Sequence, residues 1–210
     1  ADSNVLMPVS YIDDLFHAWK SGTGLVCSPP VGSHAQGFWA ELECAFLNTY
    51  QARWQLSADA VGFGFAQGKS MLWLRQALEQ AGGIRALALE IAEDAAATKI
   101  VRGRGQIVRL VDRPFPQPIG KRSARQVWDR QVRWARLRRA TFVPYYLLEL
   151  LTGSLLPIVA GVYAAASLGA DPFLTGAVLV VIWFGAEAVL ARAGGWHISA
   201  WSPAAWLVRD

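Results

Sequence analysis

The sequence predicts an α/β domain followed by apolar, membrane-associated helices. Helical and strand-like segments alternate up to about residue 122, which is typical of an α/β layer. Two runs with few charges then occupy residues 150–170 and 173–191. The apolar content of 53% is high for a freely soluble protein, which agrees with a membrane-associated part.

The first 122 residues contain the predicted α/β layer. Helices are expected over residues 13–20, 37–53, 75–81 and 93–102, and strands over residues 24–28 and 106–111. Residues 61–74 are broken by glycines, and they predict short strands with a turn. Pro114, Pro116 and Pro118 predict an extended crossing connection, because proline favours an extended backbone.

Residues 123–142 predict a basic helix at the membrane surface. Ser123 can cap its amino-terminal end. The wider segment 99–139 holds 13 of the 20 lysines and arginines, against only two acidic residues. This imbalance predicts an anionic neighbour, such as phosphate, lipid headgroups or nucleic acid.

Residues 143–192 predict a transmembrane hairpin. The 21 uncharged residues 150–170 suffice to cross a hydrocarbon layer of about 30 Å, with a kink expected at Pro157. The second run is interrupted only by Glu187. The arginines before the first run, with Arg192 after the second, place the α/β domain in the cytosol. Residues 193–210 contain three spaced tryptophans, and they predict an interfacial segment.

Three local patterns argue against other kinds of site. Cys27 and Cys44 are too few for a disulfide framework, so a reducing compartment is expected. The three histidines are dispersed and do not support a zinc site. Gly68-Lys69-Ser70 lacks the spacing of a phosphate-binding loop, and no nucleotide site is assigned there.

Asp2-Ser3-Asn4 is a candidate metal-binding motif. At the end of a strand, the carboxylate of Asp2 could hold Mg²⁺ or Mn²⁺ against a diphosphate, because these cations prefer oxygen ligands. A terminal turn or a helix cap would use the same residues.

Glu93-Asp94 follows an apolar run and opens a helix. Asp94 is the candidate general base, with Glu93 as its neighbour at the substrate. The alternative is that both acids only complement the helix dipole.

Arg130, Arg133 and Trp134 form an R-x-x-R-W pattern within the basic helix. Arginines one helical turn apart can face the same side and bind a diphosphate through forked hydrogen bonds, while the indole offers a wall to a sugar or lipid. A juxtamembrane belt of arginine and tryptophan is the alternative.

Together these motifs resemble the ceramide glucosyltransferase family. The resemblance rests on an ordered set that covers nearly the whole chain: Asp2-Ser3-Asn4, Gln80-Ala81-Gly82-Gly83, Ile91-Ala92-Glu93-Asp94 and Arg130-Gln131-Val132-Arg133-Trp134. Arg-x-x-Arg-Trp at this distance from Glu-Asp is specific for membrane-bound glycosyltransferases. It is less specific for ceramide.

The resemblance implies the carboxy-terminal part of an A-type glycosyltransferase fold, with a transmembrane hairpin after it. It implies transfer of glucose from UDP-glucose to the primary hydroxyl of ceramide, with inversion and a divalent metal. On this sequence Asp2 would be the metal ligand, Asp94 the base, and Arg130, Arg133 and Trp134 the diphosphate and acceptor motif. Asn4 stands where the family has a second aspartate.

The resemblance also carries expectations about the whole enzyme. The amino-terminal, uridine-binding half would lie outside this chain, so the chain alone is expected to be inactive. The enzyme would be a multi-pass membrane protein with its catalytic part facing the cytosol, in a bacterial inner membrane or in the Golgi of a eukaryote. Its partners would be a UDP-sugar, ceramide and the membrane, without nucleic acid.

Two alternatives stay open. A hopanoid, a sterol, diacylglycerol or a growing polysaccharide would need much the same donor machinery as ceramide. A membrane-anchored basic module could instead bind anionic lipids or nucleic acid without catalysis.

Overall fold

The structure is a computed structural model. It describes residues 3–210, apart from the side chains of residues 144 and 145. The helices are α1 (Tyr11–His17), α2 (Phe38–Ala45), a π-helical segment (Phe46–Ala52), α3 (Arg53–Ala60), α4 (Arg75–Gln80), a 3₁₀ segment (Gly83–Leu89), α5 (Glu93–Gly103), α6 (Ala124–Thr141), α7 (Val143–Glu149), α8 (Leu155–Ser167), α9 (Pro172–Ala193) and α10 (Ser202–Arg209). The strands are β1 (Thr23–Cys27), β2 (Val31–Gln36), β3 (Met71–Trp73), β4 (Ile107–Leu110) and β5 (Pro116–Lys121). The predicted mixture of helices and strands is therefore confirmed.

A three-stranded sheet forms the first half of the domain. β1 lies in its centre, antiparallel to β3 and parallel to β4. Every residue of β1 is buried, which explains the continuous apolar run in its sequence. Ala97 and Val101 of α5 pack on this sheet in one apolar cluster with Leu25 and Val108. The sheet thereby fixes the position of α5.

A separate pair of parallel strands, β2 and β5, supports the second half. The predicted crossing connection at the prolines is wrong in this respect, because Pro116 and Pro118 lie within β5. Proline has no backbone N–H to donate, and the N–H groups of alternate residues in a strand point to the same edge. Pro116 and Pro118 can therefore both occupy positions whose N–H would point away from β2. On the edge away from β2, the carbonyl of Pro116 accepts a hydrogen bond from the Leu6 N–H at 2.8 Å.

The basic helix begins where the sequence predicts. Ser123 accepts a hydrogen bond from the Gln126 N–H at 3.2 Å, and Gln126 Oε1 accepts one from the Ser123 N–H at 2.9 Å. This capping box satisfies two amide groups that the first helical turn leaves without partners. The helix α6 that follows packs against α2 and then leads into α7.

The first apolar run is helical only in part. Its beginning, near Thr152 and Gly153, is non-helical, and Ser154 N–H donates to Asp210 Oδ2 at 3.0 Å. Pro157 does not kink a long helix, since it lies in the first turn of α8, where no intrahelical partner for an N–H is needed. With 13 residues, α8 is about 20 Å long, which is less than the hydrocarbon thickness of about 30 Å.

The second apolar run forms α9, whose 22 residues are long and apolar enough to cross a membrane by length and composition. In the part of the chain that the structure describes, it is the only such helix. α8 packs beside it, and an added Cβ at Gly161 would lie 2.8 Å from Leu179. A pair of apolar helices is thus present, but two complete spans are not confirmed.

Residues 193–210, the predicted interfacial segment, pack on the domain. α10 lies against α2, and Trp206 joins Ala45 and Ala205 in an apolar cluster. Trp196 and Trp206 are buried, whereas Trp201 is 57% exposed. The apolar side of this segment therefore has a protein partner, and a position at the membrane interface stays a prediction.

Candidate functional site

Glu93 and Asp94 form the first turn of α5, as the sequence predicts. The Ala95 N–H donates a hydrogen bond to Asp94 Oδ1 at 2.8 Å. One turn further, the Thr98 hydroxyl donates to the Asp94 carbonyl and accepts from the Ala66 N–H, both at 2.9 Å. These bonds hold Asp94 and the first turn of α5 beside the loop between α3 and β3.

Gly68 lets this loop approach the two acids. A Cβ at position 68 would lie 2.4 Å from Glu93 Oε1, too close for any other residue unless Glu93 moved. The backbone of Gly68 also acts on Asp94, since it lowers the pKa of that carboxyl. The glycine therefore allows the loop backbone to come close to both acids at the start of the helix.

Burial raises the pKa of the Asp94 carboxyl above its ordinary value, and the negative charge of Glu93 raises this pKa further. Hydrogen bonds from the backbone of Ala95 and Gly68 oppose the shift. A carboxylate with a raised pKa is a stronger base, as removal of a proton from a hydroxyl requires. Asp94 has the environment of a general base, but a role in catalysis stays a prediction.

Of the predicted metal motif, Asn4 lies next to the loop of Gly68. Lys69 Nζ donates a hydrogen bond to Asn4 Oδ1 at 3.1 Å. Asp2 itself, the predicted metal ligand, lies outside the described residues. Within residues 3–210 no group of three or more His, Cys, Asp or Glu side chains could hold a metal ion, so these residues do not by themselves build the predicted site.

Arg130 faces the interior of the domain. Its guanidinium forms a salt bridge with Glu43, a residue of α2 whose side chain is 1% exposed. Arg122 Nε lies 3.2 Å from the other carboxylate oxygen of Glu43. One carboxylate therefore receives hydrogen bonds from two arginines.

Trp134 lies one turn after Arg130 and forms a second contact with it. The guanidinium carbon of Arg130 is 4.3 Å from the centroid of the Trp134 ring, within cation–π distance. The indole also packs on an apolar cluster that contains Ala40, Leu47 and Ile119. Trp134 thus attaches α6 to the domain at the place where Arg130 binds Glu43.

Arg133 has different surroundings, although its positive charge is close enough to act on Arg130. Its side chain is exposed and lines an open groove of about 490 Å³. The groove is lined by residues of α6 alone: Trp128, Asp129, Val132, Arg133, Arg136 and Leu137. The arginines are neighbours, as their spacing predicts, but one is engaged inside the domain and the other faces outward.

The carboxylates and the arginine motif belong to different parts of the domain. Asp94 lies beside the three-stranded sheet, whereas Arg130 lies against α2. Neither Glu93 nor Asp94 lines the groove on α6 or a second hollow between Arg53, Pro114 and Trp196. A contact does link the helices, since Lys99 Nζ of α5 lies 5.9 Å from the ring centroid of Phe142, just after α6.

The sequence analysis missed Glu43, Arg122 and the Gly68-Lys69 loop. Glu43 carries a usable signal, because an acidic residue between Leu42 and Cys44 in an apolar helix needs a cationic partner. The place of Gly68 beside Glu93 has no comparable signal, since the approach depends on two segments far apart in the sequence.

Glu93-Asp94 and the R-x-x-R-W pattern lie on an α/β domain that leads into apolar helices, an arrangement expected of a membrane-associated glycosyltransferase. The chain belongs to Glycosyl transferase family 21, which matches residues 1–210. This match confirms the resemblance found in the motifs.

Two relatives are ceramide glucosyltransferases of Caenorhabditis elegans. Ceramide glucosyltransferase 3 is 27% identical over 150 residues, which cover 70% of this chain and 32% of the relative. Ceramide glucosyltransferase 1 is 28% identical over 142 residues, covering 67% of this chain and 30% of the relative. The chain thus spans about a third of the length of these relatives. No solved structure matches it.

Proposed function

We propose that the protein carrying this chain transfers glucose from UDP-glucose to the primary hydroxyl of ceramide, giving glucosylceramide with inversion. Membership of Glycosyl transferase family 21 supports sugar transfer, and the names of the two relatives support ceramide as acceptor. The observation that carries the proposal is the half-buried Asp94 carboxylate, held at the start of α5 with a raised pKa.

In the proposed reaction, Asp94 takes the proton of the acceptor hydroxyl while that oxygen attacks the anomeric carbon. The bond from the anomeric carbon to the UDP oxygen breaks in the same step, and this single displacement inverts the centre. The exposed guanidinium of Arg133, with that of Arg130 behind it, would stabilise the negative charge of the departing diphosphate. Trp134 would border the acceptor.

A divalent metal, Mg²⁺ or Mn²⁺, is part of the proposal through Asp2. Such an ion would add positive charge beside a diphosphate. Asn4 and Lys69, which are joined by a hydrogen bond, would border that phosphate group in this proposal.

The proposal includes a membrane-bound enzyme whose catalytic part faces the cytosol. The apolar helix α9 and the mostly exposed apolar residues of α8 support a membrane-inserted part. Acceptor lipid would then reach the site from the bilayer, and the water-soluble donor from the cytosol.

The substitution Asp94→Asn in the full-length protein tests the reaction. An amide cannot accept the acceptor proton, so we expect transfer to fall by at least about 100-fold with UDP-glucose binding retained. The measurement is mass spectrometry of lipids from membranes supplied with UDP-glucose and ceramide. Glu79→Gln, an exposed change on α4, is the control and should leave transfer unchanged.

The same assay distinguishes the alternative acceptors. Sugar on a hopanoid, a sterol, diacylglycerol or a polysaccharide, and not on ceramide, would keep the reaction class and replace the acceptor. Full transfer by Asp94→Asn would contradict the proposed role of this residue.

A non-catalytic binding module is the second candidate, and the exposed groove with Trp128, Arg133 and Arg136 favours it. Such a surface would bind anionic lipids in a salt-dependent way. This candidate predicts no sugar transfer by the wild-type protein and unchanged lipid binding by Asp94→Asn.

A further inference from the structure

We infer that Glu43 is a positioning residue of the arginine–tryptophan motif, holding Arg130 and Trp134 in the arrangement that the donor and acceptor require. The inference rests on the proposed function. It adds a residue from outside the motif, on another helix, to the parts on which sugar transfer depends.

The first argument is the burial of Glu43. Its side chain is 1% exposed. Its neighbours along the chain, Ala40, Cys44 and Leu47, belong to one apolar cluster. A buried carboxylate is unfavourable unless it is paired and hydrogen-bonded. An apolar residue would fill this place at lower cost, so a specific task for the negative charge is expected.

The second argument is how the two oxygens of Glu43 are used. Oε1 binds the Arg130 guanidinium, and Oε2 accepts from Arg122 Nε at 3.2 Å. Two positive groups share one negative group, so the cluster keeps an excess of one positive charge. Such an excess would attract an anion such as a diphosphate.

The third argument is the chain of contacts from Glu43 to Trp134. The Arg130 side chain is only 14% exposed, because Glu43 holds its end while the indole of Trp134 covers its plane. A guanidinium fixed at one end by a carboxylate keeps its orientation above the ring. If Glu43 lost its charge, Arg130 would be free to turn, and the indole would lose its cover.

The helix α2 supplies a matched control. Glu41 is also buried, at 4% exposure, but it faces the carboxy-terminal segment of the chain. Its Oε1 lies 2.6 Å from His197 Nε2, and its Oε2 accepts from the Ser202 hydroxyl at 3.3 Å. The two residues have the same chemistry, helix and degree of burial, and they differ in the partner that they hold.

The experiment compares Glu43→Gln and Glu41→Gln in the full-length protein. Both should lower the melting temperature, because each removes one partner of a buried polar contact. Only Glu43→Gln should lower kcat/KM for UDP-glucose, by about tenfold or more, as expected when groups at a reacting centre are misplaced by about 1 Å. Glu41→Gln should keep the kcat/KM of the wild type.

Two further variants address a Glu43→Gln protein that is too unstable to assay. Glu43→Asp retains the charge but shortens the side chain by one methylene, so it should lose kcat/KM with a smaller loss of melting temperature. In Arg130→Gln, adding Glu43→Gln should cause no further loss of kcat/KM, because the first change already removes the group that Glu43 positions.

The outcomes separate the inference from the proposed function. If the wild-type protein transfers no sugar, the proposed function fails. If the wild type is active and Glu43→Gln and Glu43→Asp keep its kcat/KM, or lose no more than Glu41→Gln, the positioning role of Glu43 is refuted. Additive losses in the double variant would also refute it.

Discussion

Burial distinguishes the acidic residues of this chain from one another. Glu93 is exposed and Asp94 is half-buried, although they are adjacent on one helical turn. Burial raises the pKa of Asp94, so its ionised form is the less stable one in the folded protein. The contribution of Asp94 to folding stability is therefore fully present below the ordinary pKa of aspartate and is lost as the pH rises through the raised value.

This shift predicts the pH dependence of sugar transfer. A general base must be ionised, so kcat/KM should fall as the pH drops through the raised pKa of Asp94. Glu93→Gln removes a negative charge that raises this pKa, and it should move the acid limb of the profile to lower pH. The measurement is kcat/KM against pH for both proteins. An acid limb at the same pH in both would contradict the assigned cause.

The place of a single residue was predictable where one helix or one short motif defines it. Asp94 is at the start of a helix, and Arg130, Arg133 and Trp134 share a short motif. The partner of Arg130 was not predictable in this way, because Glu43 is 87 positions away and meets it only through the packing of α6 on α2.

The apolar helix α9 is joined to the domain by a buried ionic cluster. Glu187, whose side chain is 3% exposed, lies 2.7 Å from Arg209 Nη2 and 3.3 Å from Arg53 Nη1. Arg209 also binds the Thr49 hydroxyl, at 2.6 Å, and Asp210. The cluster thus connects α9 with the helical segment that follows α2 and with the end of α10.

Glu187→Gln should destabilise the protein by about 3 kcal/mol, because two buried or half-buried arginines lose a shared carboxylate. The measurement is the free energy of unfolding in detergent. Glu79→Gln, which breaks an exposed pair with Arg75, should cost less than about 0.5 kcal/mol. Equal effects of the two changes would mean that the cluster does not hold α9.

Elements with a strong local pattern were predicted within a few residues. Examples are β1, α5 and α6, where a buried apolar run, a glycine at the end of the helix or a capping serine marks a boundary. The strand β5 and the break near Thr152 were missed. Both depend on partners elsewhere in the chain: β2 for the strand, and Asp210 for the residues after the break.

The whole molecule places an α/β domain beside apolar helices with little protein cover. Large apolar side chains such as Leu155, Val181 and Ile182 are more than half exposed. Surfaces of this kind need lipid or another apolar partner.

Thiol labelling tests insertion of these helices. Burial raises the pKa of Cys27 and of Cys44 to about 12, so neither native thiol should react at neutral pH. In inverted or otherwise cytosol-exposed membranes, we expect Val181→Cys to resist a membrane-impermeant maleimide and to react after denaturation. Ala124→Cys, at the exposed start of α6, should react in both conditions. Full labelling of Val181→Cys in intact membranes would exclude insertion of this part of α9.

The order of residues alone determined the α/β character, the ends of the capped helices, the apolar helices and the family of the protein. These properties follow from local patterns, in which periodicity, capping and composition act over a few turns. The engagement of Arg130 by Glu43, the approach of Gly68 to Glu93 and Asp94, and the docking of α9 through Glu187 came from the packed chain. Each of these depends on burial of charges between distant segments, where desolvation makes a specific partner necessary.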